Sequence, residues 1–429
     1  MKFLIETHGC KLNTADSQAI SNQLINNGYQ LSKSSDTPDL FILNSCTVTH
    51  VADKKARQAL NRARRQFPKA LVVAAGCYPE KSYEDLDQMS SVDLVVPNTK
   101  KNELVSIISS ALGHEEVNNI EKSINFNQDV LLGRTRASIK IQEGCDQVCA
   151  YCIVPKVRGR ERSISKEKII NNINFFVDKG CPEIILTGTQ LGSYGFDLEN
   201  TSLTDLIKSI LNYTDVKRLR ISSIQPSEFS EELLSLWNNE GKGRLCQHFH
   251  IPLQSGSNKI LKAMRRTYTK NEFIQRCEMV KMQVPDSSIT TDIICGFPGE
   301  DDYSHKETKE TIEKIVLSDA HVFSYSMREG TSAFFLKNQV DPKIKSKRSA
   351  ELRDIIQKKF IKFRKSSFGK TKSVLWEGKN RNSGLTDNYI RVKAKKEYNN
   401  KYPFFPLEEI VLEKLENNVV LSSLIKKSR

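Results

Sequence analysis

Apolar and polar positions alternate with two different periods along the chain. Over the first ~110 residues, short apolar runs (Phe3-Leu4-Ile5, Leu40-Phe41-Ile42-Leu43, Leu71-Val72-Val73-Ala74 and Leu94-Val95-Val96) read as buried strands. Helix-like stretches at 16–27 and 53–66 separate them, which predicts an open parallel α/β sheet. Residues 114–128 are polar, Asn-rich and weakly periodic, as expected of a linker. A second β/α series follows, with strands expected at 137–142, 183–188, 218–223, 248–252, 289–295 and 320–325. Ile169, Ile170, Ile173, Phe176 and Val177 fall at helical spacing before the stop signal Gly180. Six strand–helix units predict a parallel barrel or partial barrel with its site at the carboxyl ends of the strands. After a long basic helix (about 343–365), the tail carries the short strand-like runs Val374-Leu375-Trp376, Tyr389-Ile390-Arg391-Val392 and Val419-Val420-Leu421, which suggest a small β-barrel. Domains are thus expected at 1–115, 130–365 and 366–429.

Composition adds a partner and a compartment to this outline. Among 429 residues, Lys and Arg exceed Asp and Glu by 14, which favours a polyanionic partner, RNA or DNA first. Seven Lys/Arg and no acid lie between Lys54 and Lys69; twelve Lys/Arg and only Glu351 and Asp354 lie between Lys343 and Lys372. No apolar run is long enough to cross a bilayer, so no membrane partner is expected, and the default compartment is the cytoplasm. Ten cysteines in such a chain point to metal or redox chemistry rather than a disulfide framework.

Three of the cysteines, Cys145, Cys149 and Cys152, form a CxxxCxxC loop directly after a strand-like run. Iron–sulfur clusters are commonly held by four thiolates; three from one loop leave one iron of a cubane without a protein ligand. That iron can take the amino and carboxylate groups of S-adenosylmethionine, whose reductive cleavage gives a deoxyadenosyl radical. Zinc is the competing reading, but structural zinc sites usually pair two CxxC half-sites, and the sequence has no second one.

Three more cysteines stand in Thr7-His-Gly-Cys10, Asn44-Ser-Cys46-Thr and Ala75-Gly-Cys77-Tyr, each after a different predicted strand. Carboxyl ends of parallel strands share one edge, so these thiols are expected to converge and hold a second cluster. Gly9 and Gly76 permit close backbone approach. Cys181, Cys246, Cys277 and Cys295 are scattered and read as buried hydrophobes.

Together these residues resemble the methylthiotransferase family of radical S-adenosylmethionine enzymes over nearly the whole chain. The resemblance rests on Gly9-Cys-Lys-Leu-Asn13, Asn44-Ser-Cys-Thr-Val-Thr49, Gly76-Cys-Tyr78, the loop extended through Ile153-Val-Pro-Lys-Val-Arg158-Gly159, His250-Ile-Pro-Leu-Gln-Ser-Gly-Ser257, Thr291-Asp-Ile-Ile-Cys-Gly-Phe-Pro-Gly-Glu300 and Phe323-Ser-Tyr-Ser-Met-Arg-Glu-Gly-Thr331. It implies an N-terminal methylthiotransferase domain, a partial (β/α)6 radical barrel and a C-terminal TRAM-like RNA-binding β-barrel. Asn44-Ser-Cys-Thr-Val-Thr with Asp53-Lys-Lys, Arg134-Thr-Arg136 before Lys140-Ile-Gln-Glu-Gly, and Arg220-Ile-Ser-Ser-Ile-Gln-Pro226 resemble the branch that methylthiolates C2 of N6-threonylcarbamoyladenosine at position 37 of the tRNA anticodon loop. Gln225, where the pattern has Glu, and Ile164, where it often has Arg, depart from it.

The resemblance implies two [4Fe-4S] clusters, two S-adenosylmethionine molecules per product and a reducing electron donor. Cys145, Cys149 and Cys152 would make the radical; Cys10, Cys46 and Cys77 would hold the sulfur site. Tyr151, Gly188, Thr189, Gln190, Ser222, Ser223 and Gln254 are candidate S-adenosylmethionine contacts, and Arg158 and Arg266 could meet that cofactor, RNA phosphate or an acidic side chain. Trp376, Tyr389, Phe404 and Phe405 either stack on bases or form the small barrel's core. Isopentenyladenosine-37 of tRNA and a ribosomal-protein aspartate are the alternative substrates that the resemblance leaves open; a non-catalytic iron–sulfur or zinc RNA-binding protein is the alternative from another class.

Overall fold

The computed structural model describes residues 1–32, 36–113, 135–377, 383–394 and 407–424. The expected linker at 114–128, Arg134, Phe404 and Phe405 lie outside the described residues.

The N-terminal unit runs β1 (Lys2–His8), α1 (Lys11–Asn26), β2 (Gln30–Leu31), β3 (Leu40–Ser45), α2 (His50–Gln66), β4 (Leu71–Gly76), α3 (Cys77–Lys81), α4 (Tyr83–Asp87), β5 (Leu94–Pro97) and α5 (Leu104–Ala111). Its strands form a parallel sheet in the order β2-β1-β3-β4-β5. Both faces are covered, so the strands read as continuous apolar runs: Ile42 and Val73 pack on one side, Phe41 and Val72 on the other. In register, His8 lies opposite Ser45 and Ser45 opposite Gly76. That row places the ends of three strands side by side.

The central unit runs β6 (Ala137–Lys140), β7 (Gln142–Glu143), α6 (Val154–Arg158), β8 (Arg162–Ser163), α7 (Lys166–Asp178), β9 (Glu183–Thr187), α8 (Leu203–Tyr213), β10 (Arg218–Ile221), α9 (Glu231–Ser235), β11 (His248–His250), α10 (Asn258–Ala263), α11 (Lys270–Gln283), β12 (Ser288–Cys295), α12 (Asp302–Lys314), β13 (Asp319–Ser324) and α13 (Pro342–Lys365). Parallel ladders β6-β9-β10 and β11-β12-β13 are joined by single parallel bridges, Leu219 to Leu245 and Ser223 to His250. The result is a six-stranded open arc; among the described residues no ladder joins β13 back to β6. The expected partial (β/α)6 barrel is therefore present. One large apolar cluster, including Ile139, Leu186, Leu219 and Phe249, packs the strands against their helices.

Helix α1 begins five residues earlier than its sequence pattern suggests, capped by Cys10. Its polar residues Asn13, Asp16, Ser17 and Gln18 are buried because the helix is sandwiched between its own sheet and β6. Gln18 Nε2 donates to the Arg136 carbonyl (3.4 Å), and its Oε1 accepts from the Ser138 amide (2.9 Å).

The tail folds into a closed barrel of β14 (Thr371–Glu377), β15 (Ser383–Thr386), β16 (Arg391–Ala394), β17 (Leu407–Glu416) and β18 (Val419–Leu424). Trp376 is fully buried with Val374, Ile390 and Val392 in its core, so it is a packing residue. Tyr389 stacks on His248 of the central unit at 4.1 Å. Arg218 and Arg220 donate to the carbonyls of Leu385, Thr386 and Asp387, docking the small barrel on the central unit.

Candidate active site

Cys10, Cys46 and Cys77 each follow the row of aligned strand ends at His8, Ser45 and Gly76. A Cβ on Gly9 would lie 3.0 Å from Cys46 Cβ, so glycine lets these loops touch. Gly76 sits at φ +100°, and a Cβ there would lie 2.7 Å from the Ser45 carbonyl oxygen. Asn98 Nδ2 donates to Cys77 Sγ (3.3 Å), and Asn13 and Asn44 bond each other beneath the triad at 3.2 Å. Burial, then the neighbouring Cys77 and Cys10 sulfurs, pushes the Cys46 thiol up to about 12. Burial likewise raises Cys77, against the pull of Arg158.

Cys145, Cys149 and Cys152 converge in the same way on the loop after β7. Burial pushes Cys145 up to about 11 and Cys152 to about 12, with Cys149 adding to both; the backbone amides of Gln147 and Val154 donate to the two sulfurs. Arg266 Nη1 lies 3.0 Å from Cys149 Sγ, and its Nη2 donates to Gln225 Oε1 at 2.6 Å. Cys145 Sγ is 3.1 Å from Gln190 Oε1, whose amide donates to Glu228 (2.9 Å). Burial thus favours the protonated thiol at Cys46, Cys77, Cys145 and Cys152, beside amide donors, whereas Cys10 is exposed and Cys149 half-buried. A metal that takes thiolates displaces those protons and gains the amide and guanidinium hydrogen bonds. Three thiols per site fit a cubane with one open iron.

Cys77 packs directly on Ile153 and Val157, which follow Cys152 in the chain. The two triads therefore lie on either side of one shared seam. A cleft of about 640 Å³ runs along it, lined by Glu80, Tyr83, Ile153, Lys156 and Glu329 among others.

The remaining sequence candidates sort by place. Thr189 and Gln190 amides both donate to Gln142 Oε1, at 2.8 and 2.9 Å, and a Cβ on Gly188 would crowd that same oxygen at 2.9 Å. Thr189 Oγ1 and Ser222 Oγ are buried without a partner among the described residues. Ser223 bridges to His250, and Gln254, at φ +63°, bridges to Ile293. The Tyr151 ring meets Phe297 edge-on at 6.5 Å. Arg158 is an internal ion-pair residue, 3.0 Å from Asp16 and 2.7 Å from Glu143.

Two family models match the chain: "Uncharacterized protein family UPF0004" over residues 2–97 and "Radical SAM superfamily" over residues 139–314. A protein of Aquifex aeolicus, "Threonylcarbamoyladenosine tRNA methylthiotransferase MtaB", is 38% identical over 400 residues, covering 92% of this chain and 96% of the relative. The chain belongs to the methylthiotransferase family of radical S-adenosylmethionine enzymes. The Bacillus subtilis protein of the same name is 36% identical, covering 91% of this chain and 89% of the relative. A Finegoldia magna "tRNA-2-methylthio-N(6)-dimethylallyladenosine synthase" is 33% identical, covering 92% and 89%. Among solved structures, the radical S-adenosylmethionine methyltransferase TsrM of Kitasatospora setae shares the fold, with a TM-score of 0.55 at 13% identity over 75% of this chain and 72% of that one.

This methylthiotransferase also carries groups that the sequence left unmarked. Asp16 and Glu143 are buried among Lys101, Lys140 and Arg158, with the more exposed Arg162 also on Glu143, an ionic network joining α1 to the radical loop. Burial raises the Asp16 carboxyl, but Lys140, Lys101 and Arg158 outweigh it and hold it well below the usual range. On the other side of the seam, Arg328 reaches Asp53 (2.8 Å) and the Thr47 hydroxyl (2.6 Å) just after Cys46. Glu228 is buried beside Gln190, and burial pushes its carboxyl up.

The basic runs are partly internal. On α13, Arg348 is buried against Glu300, and Arg364 donates to the Ser318 and Phe360 carbonyls. On α2, Arg62 pairs with Glu6 and Arg64 with Asp93. Cys295, Glu300 and His305 also cluster, but Arg348 already neutralises Glu300 at 2.9 Å, which leaves no anionic ligand for a cation there. Among the described residues no helix is long and apolar enough to cross a membrane.

Proposed function

We propose that this enzyme places a methylthio group on C2 of N6-threonylcarbamoyladenosine at position 37 in the anticodon loop of tRNA. The observation that carries the reading is the packing of Cys77 on Ile153 and Val157, which sets one thiol triad against the other. A radical site alone abstracts hydrogen; a sulfur site beside it gives the activated carbon something to bond. Cys145, Cys149 and Cys152 hold the radical cluster, and Cys10, Cys46 and Cys77 the auxiliary one. When bound, the clusters and S-adenosylmethionine supply one-electron cleavage, the methyl group and the sulfur-bearing site.

The chain's own residues position and shield. Tyr151, Gly188, Thr189, Gln190, Ser222, Ser223 and Gln254 form the cradle for S-adenosylmethionine; the free buried hydroxyls of Thr189 and Ser222 supply unused hydrogen-bonding capacity there. Arg158 and Arg328 clamp the two units so that adenine, radical and sulfur share one water-poor space. A loop nucleotide leaves its stack at low cost, which suits an enzyme acting on a base edge. The threonylcarbamoyl substrate is favoured because relatives bearing that name are 38% and 36% identical, against 33% for one named for the dimethylallyl substrate. An external one-electron donor completes the cycle.

The test is nucleoside analysis of tRNA from cells with and without the gene. The 2-methylthio form of threonylcarbamoyladenosine disappears on deletion and returns with the wild-type gene. An unchanged profile overturns the reading; loss of the dimethylallyl product instead reassigns the substrate.

A further inference from the structure

β13 is the edge strand of the open arc. Its Ala320 and Val322 pack on the main core, so the alternate residues His321 and Phe323 face the inside of the arc. In register, His321 lies beside Asp292 and Phe323 beside Ile294. A row of side chains thus leads outward. His250 pairs with Asp292 at 3.2 Å, the His321 ring is 6.4 Å from that of His250, and the Phe323 ring is 6.2 Å from that of His321. Exposure rises along the row, and Phe323 is 47% exposed. The segment after β13 meets the N-terminal unit. The His50 amide donates to Ser326 Oγ at 3.3 Å, and Arg328 reaches Asp53 and Thr47. Around those contacts Met327, Val48 and Val51 are 41%, 49% and 62% exposed. Four large apolar side chains therefore stand in water where the two units meet, close in sequence to Cys46 on one side.

Charge continues this surface. α2 starts at His50, and Val51, Lys54, Lys55, Gln58, Arg62 and Arg65 recur at helical spacing along its exposed side. Arg62 pairs with Glu6, but Lys54, Lys55 and Arg65 have no acid partner among the described residues. The cleft along the seam is charged the other way: Glu80, Glu84, Asp85 and Glu329 line it against Lys81 and Lys156, which repels a polyanion. An aromatic and aliphatic rim continued by a stripe of free cations has the chemistry of a single-stranded nucleic-acid surface, with bases on the rings and phosphates on the stripe. We infer that the tRNA anticodon loop enters over this rim: a base next to the modified one stacks on Phe323 and His321, and the backbone follows Lys54 and Lys55 along α2. The inference rests on the tRNA reading above. It gives the N-terminal unit a share in holding the RNA.

The test uses holoenzyme with both clusters and an anticodon stem-loop bearing threonylcarbamoyladenosine, titrated by fluorescence anisotropy at several salt concentrations and equal iron content. Phe323→Ala weakens binding about tenfold, the scale of one lost base stack, and leaves the salt dependence unchanged, whereas Phe323→Tyr binds like wild type. Lys54→Gln combined with Lys55→Gln weakens binding and lowers the slope of log affinity against log salt by about one to two. Wild-type affinity in Phe323→Ala, or an unchanged slope in the lysine variant, overturns the proposal. If Phe323→Ala does not load its clusters, Val51→Glu decides, since that side chain lies on the surface. An acid there weakens binding by repelling phosphate, and wild-type affinity overturns the proposal. A protein that self-associates through Phe323, and binds RNA equally well without that ring, assigns the rim to a second copy and overturns the proposal too. The tRNA reading fails separately, when wild type leaves the bound stem-loop unmodified.

Discussion

Arg158 Nη1 lies 3.0 Å from Asp16 Oδ2, joining the helix that follows Cys152 to the helix that follows Cys10. Both side chains are buried, and each has further partners: Asp16 meets Lys101 and Lys140, and Arg158 meets Glu143. Removing the Asp16 carboxylate leaves three enclosed cations to share Glu143, and breaking a buried ionic contact of this kind costs about 3–5 kcal/mol. Asp16→Ala is expected to lose stability on that scale in chemical denaturation. It also loosens the seam between the triads, so methylthio product should fall further than S-adenosylmethionine cleavage does.

Glu183 carries a pH dependence of defined sign. Burial would raise its carboxyl, but Arg220 and Arg218 outweigh it and hold it at about 2, below the ordinary 4.5. A depressed carboxylate stabilises the fold above its unfolded value and loses that contribution as pH falls from about 4.5 toward 2. A shift of this size corresponds to about 3 kcal/mol. Glu183→Gln should therefore be less stable than wild type at pH 7, with the gap closing between pH 5 and 2. A gap that stays constant with pH would assign the loss to packing alone.

Much of this architecture was legible in the chain. Phe41 to Leu43 and Val72 to Ala74 are buried on both faces, so a plain apolar run was enough to mark them as strands. The cysteines were legible because each follows such a run at once. Helix α1 extends beyond its sequence pattern because it buries Asn13, Asp16 and Gln18 against a second unit, which erases the amphipathic signal. The small barrel showed three of its five strands. Leu407–Glu416 is charged along its length, and Ser383–Thr386 is short, so neither carried a strand signal. The network of Asp16, Lys101, Lys140, Glu143 and Arg158 spans both units; its members sit at ordinary positions in sequence, and only the packing brings them together.

Arg266 places a fixed positive charge 3.0 Å from Cys149 Sγ. A cation and a hydrogen bond at a cluster sulfur stabilise the reduced, more negative state and raise the reduction potential. Arg266→Leu should lower the potential of the radical cluster and slow S-adenosylmethionine cleavage with a weak reductant. A strong reductant should restore much of the rate. A redox titration followed by electron paramagnetic resonance reads the shift directly, and Arg266→Lys should fall between wild type and leucine. An unshifted potential would reduce Arg266 to its contact with Gln225.

The two triads make separable contributions, and single substitutions divide them. Cys77 and Cys152 are both deeply seated thiols, yet they close different donor sets. Cys77→Ala should lose about half of the bound iron after anaerobic reconstitution, because a cubane left with two thiolates on this edge is poorly held. It should still cleave S-adenosylmethionine to deoxyadenosine, since Cys145, Cys149 and Cys152 remain, but release no methylthiolated nucleoside. Cys152→Ala should lose a similar share of iron and the deoxyadenosine as well. Iron content, deoxyadenosine and modified nucleoside measured on the same preparations check the pair of outcomes. If Cys77→Ala still forms product, sulfur does not come from a cluster at Cys10, Cys46 and Cys77, and the seam at Ile153 and Val157 serves only to hold the two units together.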